Sequence, residues 1–147
     1  MAVSAKTTFD IDAPPSLVME VLQDVESLPE WSGPHKSAEV VEEYDDGLPK
    51  TVKVDVTVGP ISDVQTLAYQ WTDNSCTWDL VEGDKLASQH GVYTITDNGK
   101  GGSHVEFVLD VDLKVKLPGL LVKQGQKTAV ETAKKGLTKE VLARAAD

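Results

Sequence analysis

The side chains that most often carry out acid–base or metal chemistry are few in this chain. Histidine occurs three times, at His35, His90 and His104, and no two of these are spaced as metal ligands on one helix or strand face. The single cysteine, Cys76, shares a strand face with Trp78, which predicts a small buried side chain rather than a reactive thiol. The sequence has no nucleophile elbow and no phosphate-binding glycine loop. It therefore nominates no catalytic residue, no metal ligand and no cofactor.

The histidines differ in their expected surroundings. Strand alternation places His104 on a polar face and gives His90 the opposite parity from Tyr93, so we expect both imidazoles to face solvent. His35 follows Trp31 in a proline-containing loop, and it is the histidine that would lie at the mouth of a cavity.

Aromatic and amide side chains are the better candidates for contact with a ligand. Trp78, Tyr93 and Phe107 belong to neighbouring predicted strands and have the parity that faces a covering helix. A buried indole N–H or phenol O–H needs a hydrogen-bond partner, which a ligand could supply, although packing in a protein core is the alternative for each ring. Gln89 shares the face of Tyr93 and is the matching polar candidate. The further aromatic or polar candidates are Trp31, Tyr69, Trp71, Thr66 and Gln124.

The chain ends in a candidate helix, Leu117–Asp147, whose apolar face carries small residues. Gly125, Ala129, Ala133 and Gly136 follow one another at spacings of 4, 4 and 3, which places them on one helical face. Small side chains on a buried face either let a sheet pack very closely or leave a hollow that another molecule can fill. The pattern leaves both possibilities open.

Seven segments show the period of two that is typical of half-buried strands. The first is Val3–Ile11, and six more follow one another between residues 37 and 115, separated by short turns such as Gly59-Pro60. Connections of this length join antiparallel neighbours, so we expect one antiparallel sheet. The six predicted strands are Ser37–Tyr44, Lys50–Gly59, Ile61–Trp71, Ser75–Val81, Leu86–Thr96 and His104–Val115.

Two short helices are predicted after the first strand. Pro14 and Pro15 suit a first helical turn, and the helix is expected to run to about Val25. Ser27 and Glu30 have the spacing of a capping box, which predicts a second short helix. Only the C-terminal helix, at roughly 25 residues and nearly 40 Å, is long enough to cover the sheet. The sequence thus predicts one α+β domain over residues 1–147, in which a curved antiparallel sheet of about seven strands wraps around a long C-terminal helix.

Composition excludes several classes of protein. The net charge of −10 argues against a chain that mainly binds nucleic acid. Residues 1–113 carry a net charge of −15 and residues 114–147 a net charge of +5, so the final helix is basic and the rest of the chain acidic. No apolar run approaches the ~18 residues that cross a bilayer, the N-terminus lacks the apolar core of a signal peptide, and a lone cysteine suits a reducing compartment. We therefore expect a cytoplasmic protein that is a monomer or a weak dimer.

Five short motifs accompany this order of elements: Ala13-Pro14-Pro15, Asp24-x-Glu26-x-x-Pro29-x-Trp31, Gly91-x-Tyr93, Gly101-Gly102 and Leu117-Pro118-Gly119. Together they resemble the START-like, or SRPBCC, superfamily with its helix-grip fold. Within it, the chain is most similar to the polyketide cyclase/dehydrase-like branch, which has many small actinobacterial and especially mycobacterial members, so the resemblance favours such an origin.

The resemblance implies a cavity between the sheet and the final helix that holds a hydrophobic small molecule such as a lipid, an isoprenoid or a polyketide. On this interpretation the protein binds or transports its ligand. The expected ligand-binding residues are Trp31, Trp78, Gln89, Tyr93, Phe107, Leu121, Gly125, Ala129 and Ala133.

Two other functions remain open because one fold hosts many tasks. The first is a polyketide cyclase or dehydratase, for which Tyr93 and Gln89 are the residues to test. The second is a ribosome-associated or toxin-like interaction protein that docks through Lys123, Lys127 and Lys134.

Overall fold

The computed structural model describes residues 1–146 as a seven-stranded antiparallel sheet, two short helices and a long C-terminal helical segment. The strand order across the sheet is β1-β7-β6-β5-β4-β3-β2, so β2 to β7 form a meander and β1 adds to β7. The strands are β1 (Ala2–Ile11), β2 (His35–Glu43), β3 (Pro49–Val58), β4 (Ile61–Thr72), β5 (Ser75–Glu82), β6 (Leu86–Asp97) and β7 (Ser103–Leu113).

Short turns hold the meander in register. β3 and β4 are joined by two residues, with Val58 paired to Ile61, and Gly59 has a φ of +59° that a side chain would disfavour. Along the sheet, Trp71 pairs with Cys76, Cys76 with Tyr93, and Tyr93 with Phe107. One row of paired positions thus crosses four strands, which is how residues far apart in sequence come to share one face.

The two short helices follow β1, as the sequence predicts. α1 (Pro15–Gln23) begins with proline in its first turn, and a single 3₁₀ turn leads from it to α2 (Leu28–Trp31). The predicted capping box is wrong. The Ser27 hydroxyl donates to the Asp24 carbonyl at 2.6 Å, because Ser27 belongs to the 3₁₀ turn and its side chain points backwards along the chain.

The C-terminal helix is continuous from Gly119 to Ala145, and one of its turns is wider than the rest. It consists of α3 (Gly119–Glu131), a π-helical turn (Thr132–Gly136) and α4 (Leu137–Ala145). The predicted helix began at Leu117, two residues earlier. Its last predicted residue, Asp147, lies outside the described residues.

The filled hydrophobic core lies at one end of the sheet. There α1 packs against α4, and the side chains of Val18, Leu137 and Val141 are completely buried. Arg144 of α4 donates a hydrogen bond to Asp24, the residue that follows α1 (2.9 Å), and another to Glu140 within α4 (3.1 Å). The other end of the sheet is covered by α3, in which no residue is fully buried.

This architecture confirms the predicted α+β helix-grip fold with its curved seven-stranded sheet. Within residues 1–146 none of the helices combines the length and the apolar character needed to cross a membrane.

Candidate ligand cavity

A cavity of about 280 Å³ lies between the concave face of the sheet and α3. The sheet contributes side chains from every strand to its wall, α1 and α2 contribute Leu22 and Trp31, and α3 contributes Leu121, Gly125 and Ala129. Its lining is predominantly apolar, and its volume is near the lower end of the range of small-molecule sites. The fold therefore contains an internal space of the kind that binds a small hydrophobic molecule.

The floor of the cavity is a row of stacked aromatic rings on the inward face of the sheet. The Trp78 ring centroid lies 6.0 Å from that of Tyr69, 5.7 Å from that of Tyr93 and 6.4 Å from that of Phe107. Tyr93 and Phe107 are closer still, at 4.9 Å. These separations are those of favourable aromatic pairs, and the rings, inclined to one another by 27° to 40°, form a continuous apolar surface.

A glycine sets the position of the central ring. Trp78 pairs with Gly91 on the neighbouring strand, and a Cβ added to Gly91 would overlap the indole of Trp78. The absence of a side chain lets the indole lie flat against β6. This explains why a glycine precedes Tyr93 by two residues.

A chain of polar groups runs along one wall of the cavity. The Trp78 Nε1–H donates to Gln89 Oε1 at 2.9 Å, and Gln89 Nε2 donates to Gln65 Oε1 at 2.9 Å. Gln65 Nε2 in turn donates to Asp63 Oδ2 at 3.1 Å. The Asp63 carboxylate also accepts the backbone N–H groups of Asp84 (3.0 Å) and Lys85 (3.3 Å), which leaves it well satisfied in its buried position.

The two ends of this chain fix the direction of every hydrogen bond in it. An indole N–H can only donate and a carboxylate can only accept, so both amides between them must point their oxygens towards Trp78 and their nitrogens towards Asp63. Gln89 and Gln65 each retain one amide N–H that the chain does not use.

Two phenol groups in the cavity lining lack a partner. Tyr69 and Tyr93 are each only 6% exposed, both line the cavity, and neither hydroxyl has a hydrogen-bond partner among residues 1–146. Burial raises the pKa of each phenol well above its usual value, so both keep their protons at neutral pH. They present two O–H donors to whatever occupies the space.

His35 lies in the cavity wall, where the sequence placed it as a mouth residue. Its Nδ1 is 2.6 Å from Oγ of the buried Ser32, and desolvation lowers the pKa of its imidazole to about 4. The ring is therefore neutral at physiological pH. Trp31, also in the lining, has a buried indole N–H that no group in the described part of the chain accepts.

The small residues of the C-terminal helix have two different roles. Gly125 and Ala129 line the cavity, and the nearest atom to a Cβ added at Gly125 would be Val58 Cγ1, at 3.9 Å. Ala133 does not line it: this residue is 1% exposed and belongs to the core, which corrects its assignment as a ligand contact. Gly136 packs directly on Trp31, whose carbonyl oxygen an added Cβ would overlap. Thr132 is the last described residue of the helix in the lining.

The other expected ligand-binding residues all line the cavity, whereas the further candidate Trp71 does not. They are Trp31, Trp78, Gln89, Tyr93, Phe107, Leu121, Gly125 and Ala129, and the weaker candidate Gln124 joins them. Thr66 does not, because its parity in β4 turns it to the opposite face from Gln65. Alternation from Leu67 and Tyr69 would have identified Gln65 and Asp63, which the sequence interpretation missed.

The other candidate groups lie where alternation predicts. His90 and His104 are on the outer face, paired with Asp79 (2.6 Å) and Asp10 (2.7 Å). Cys76 is buried, and desolvation raises the pKa of its thiol, which disfavours the reactive thiolate.

A helix-grip fold around an apolar cavity defines a class of protein, and comparison with known proteins agrees. Residues 2–147 match the family described as polyketide cyclase / dehydrase and lipid transport. The chain therefore belongs to this family. Among curated protein sequences, none matches the chain significantly.

Solved structures show the same fold at low sequence identity. A START superfamily protein from Mycobacterium smegmatis is 24% identical with a TM-score of 0.85, over 95% of this chain and 97% of that one. The Zhui aromatase/cyclase from Streptomyces sp. R1128 is 15% identical with a TM-score of 0.82, over 99% and 96% of the two chains. The protein TTHA0849 from Thermus thermophilus is 25% identical with a TM-score of 0.80, over 96% and 98%.

Proposed function

We propose that this protein binds or transports a hydrophobic small molecule, such as a lipid, an isoprenoid or a polyketide-like compound, in the cavity between the sheet and α3. The observation that carries the proposal is the predominantly apolar space of about 280 Å³ that the protein's own side chains leave unfilled. Membership of a family whose description includes lipid transport supports it. A cytoplasmic location and a monomeric or weakly dimeric state stay predictions.

The energetics favour an apolar guest. Transfer of apolar surface out of water contributes roughly 25 cal/mol per Å², and a guest would cover the aromatic floor and Leu121 as well as its own surface. Gly125 and Ala129 leave the room for it, because larger side chains at these positions would enter the same space.

The test is to look for a bound molecule in the purified protein. Native mass spectrometry should give a mass above that of the polypeptide, and the excess should disappear on denaturation. Solvent extraction of the same sample should then release an apolar compound. The folded protein should also take up the fluorescent apolar probe 1-aminoanthracene, and the denatured protein should not. Protein that is repeatedly empty and takes up no probe would contradict the proposal.

A second candidate function is cyclase or dehydratase catalysis. It is favoured by the two phenol O–H groups of Tyr69 and Tyr93 in a cavity that also contains the neutral imidazole of His35. Groups that donate and accept protons within an apolar pocket are what such proton transfers need. A synthetic poly-β-ketone thioester is the substrate to test. Unchanged turnover in both Tyr93→Phe and Gln89→Ala would exclude the residues nominated for this activity.

A further inference from the structure

Four polar side chains of the cavity lining can each donate a hydrogen bond that no group among residues 1–146 accepts. The hydroxyls of Tyr69 and Tyr93 have no partner among residues 1–146, and Gln65 and Gln89 each keep one free amide N–H. The amide oxygens and the Asp63 carboxylate, by contrast, already accept hydrogen bonds. An occupant with acceptor oxygens would complete this arrangement, whereas a pure hydrocarbon would leave buried donors unpaired.

The charged side chains of the described lining, Asp63 and Lys85, are not free inside the cavity. Asp63 is held by three N–H donors, and Lys85 is exposed. His35 is neutral at physiological pH. A carboxylate or ammonium group buried here would lose its hydration, and the opposite charges in the lining, the exposed Lys85 and the already hydrogen-bonded Asp63, would compensate that loss only in part.

We propose that the occupant is an uncharged, largely apolar molecule that presents carbonyl-type acceptor oxygens, as in a ketone, an ester or a quinone, to the hydroxyls of Tyr69 and Tyr93. This inference rests on the proposed function and specifies the chemistry of its ligand. The apolar body of the molecule lies against Leu121, Gly125 and Ala129, and its oxygen-bearing end lies over the aromatic floor.

A series of naphthalenes that differ in one substituent tests the proposal by calorimetry at pH 7.5. The neutral acceptor is 2-acetylnaphthalene, and 2-ethylnaphthalene has a similar shape without the oxygen. The charged members are 2-naphthoate and 2-(aminomethyl)naphthalene. We expect the acetyl compound to bind about 5- to 10-fold more tightly than the ethyl compound, the gain of about one hydrogen bond. Both ions should bind more weakly than the ethyl compound.

Conservative variants identify the donors. Tyr69→Phe or Tyr93→Phe should reduce the preference for the acetyl compound several-fold, and the ethyl compound should bind at least as tightly as before, because the ring remains and one fewer donor is left unpaired. The matched control is Tyr44→Phe, because the Tyr44 hydroxyl lies outside the cavity lining and donates to the Tyr69 carbonyl at 2.7 Å. The Tyr44→Phe variant should keep the full preference for the acetyl compound over the ethyl compound. Retained binding of the ethyl compound also shows that each variant is folded.

The outcomes separate this inference from the proposed function. Equal affinity for the acetyl and ethyl compounds, or tighter binding of either ion, would overturn the inference and leave an apolar binding site intact. A preference that survives in both cavity variants would also overturn it. Failure of every probe to bind would count against the inference and the proposed function together.

Discussion

At the scale of single residues, Gly91 and His35 show how local packing determines the chemistry of the cavity wall. Gly91 allows the Trp78 indole to lie flat on the sheet, and in that position its N–H reaches Gln89. His35 is desolvated beside Ser32, so its imidazole stays neutral. Each residue acts through its packing: Gly91 through the room it leaves for Trp78, and His35 through its burial beside Ser32.

The depressed pKa of His35 predicts a loss of stability in mild acid. Its folded pKa of about 4 lies below its ordinary value of 6.5, so the unfolded chain binds the proton first as pH falls. Above pH 6.5 the residue contributes nothing to the pH dependence. Between pH 6.5 and 4 it should lower the free energy of unfolding by about 1.4 kcal/mol per pH unit, and by roughly 3 kcal/mol in all.

The measurement is the free energy of unfolding in urea from pH 7.5 to 4 for the wild type and for His35→Gln. The variant should lose less stability over this interval. Gln70→Ala is the control, because Gln70 is exposed and carries no ionisable group, so its replacement should keep the acid sensitivity of the wild type. Parallel curves for the wild type and His35→Gln would show that the imidazole is solvated in the folded state.

At the scale of elements, the C-terminal helix changes its task along its length. α3 borders the cavity, and α4 completes the filled core against α1. The π-helical turn at Thr132–Gly136 lies where the lining ends. The same kind of small residue therefore makes room for a guest before this turn and for Trp31 at its last residue.

This division predicts opposite effects for one substitution at two glycines. Gly125→Ala should stabilise the protein by about 0.5–1 kcal/mol, because alanine favours the helix and its Cβ meets Val58 only at an ordinary contact distance. Gly136→Ala should destabilise it by about 1–3 kcal/mol, because the added carbon overlaps the Trp31 backbone. Urea unfolding of the two variants checks both signs. Changes of the same sign would mean that the two ends of the helix pack alike.

At the scale of the whole molecule, the filled hydrophobic core covers only part of the concave face of the sheet. Helices α1 and α4 fill one end of the concave face, and α3 bridges the other end without filling it. The exposed lysines Lys123, Lys127 and Lys134 lie on this bridging helix and its π-helical turn, so the net positive charge is on the element that closes the cavity.

The cavity as a whole should tolerate being filled by the protein itself. Ala129→Leu places a larger apolar side chain in the space that Ala129 now borders, so unfolding free energy should change by less than about 1 kcal/mol or rise. Uptake of 1-aminoanthracene should fall at least tenfold. Ala143→Leu, on an exposed position of α4, is the control and should keep full uptake. Destabilisation of Ala129→Leu by several kcal/mol would mean that the helix already packs tightly there.

Much of the fold and part of the site could be predicted from the sequence, because periodicity is a local property. Alternation identified the seven strands and correctly put Trp78, Gln89, Tyr93 and Phe107 on the inward face. The same rule would have chosen Gln65 over Thr66, since Gln65 shares the parity of Tyr69. The motifs then indicated the polyketide cyclase/dehydrase-like branch, which the family match over residues 2–147 confirms.

Whether the small-residue face packs tightly or leaves a hollow was decided by tertiary structure alone. Helical spacing puts Gly125, Ala129, Ala133 and Gly136 on one face, but the distance from that face to the sheet depends on how α1 and Trp31 fit beneath it. Ala133 is packed in the core and Gly136 against Trp31, whereas Gly125 and Ala129 border the cavity. The directions of the hydrogen bonds from Trp78 to Asp63 likewise depend on contacts between β4, β5, β6 and the turn at residues 84–85, which no local pattern encodes.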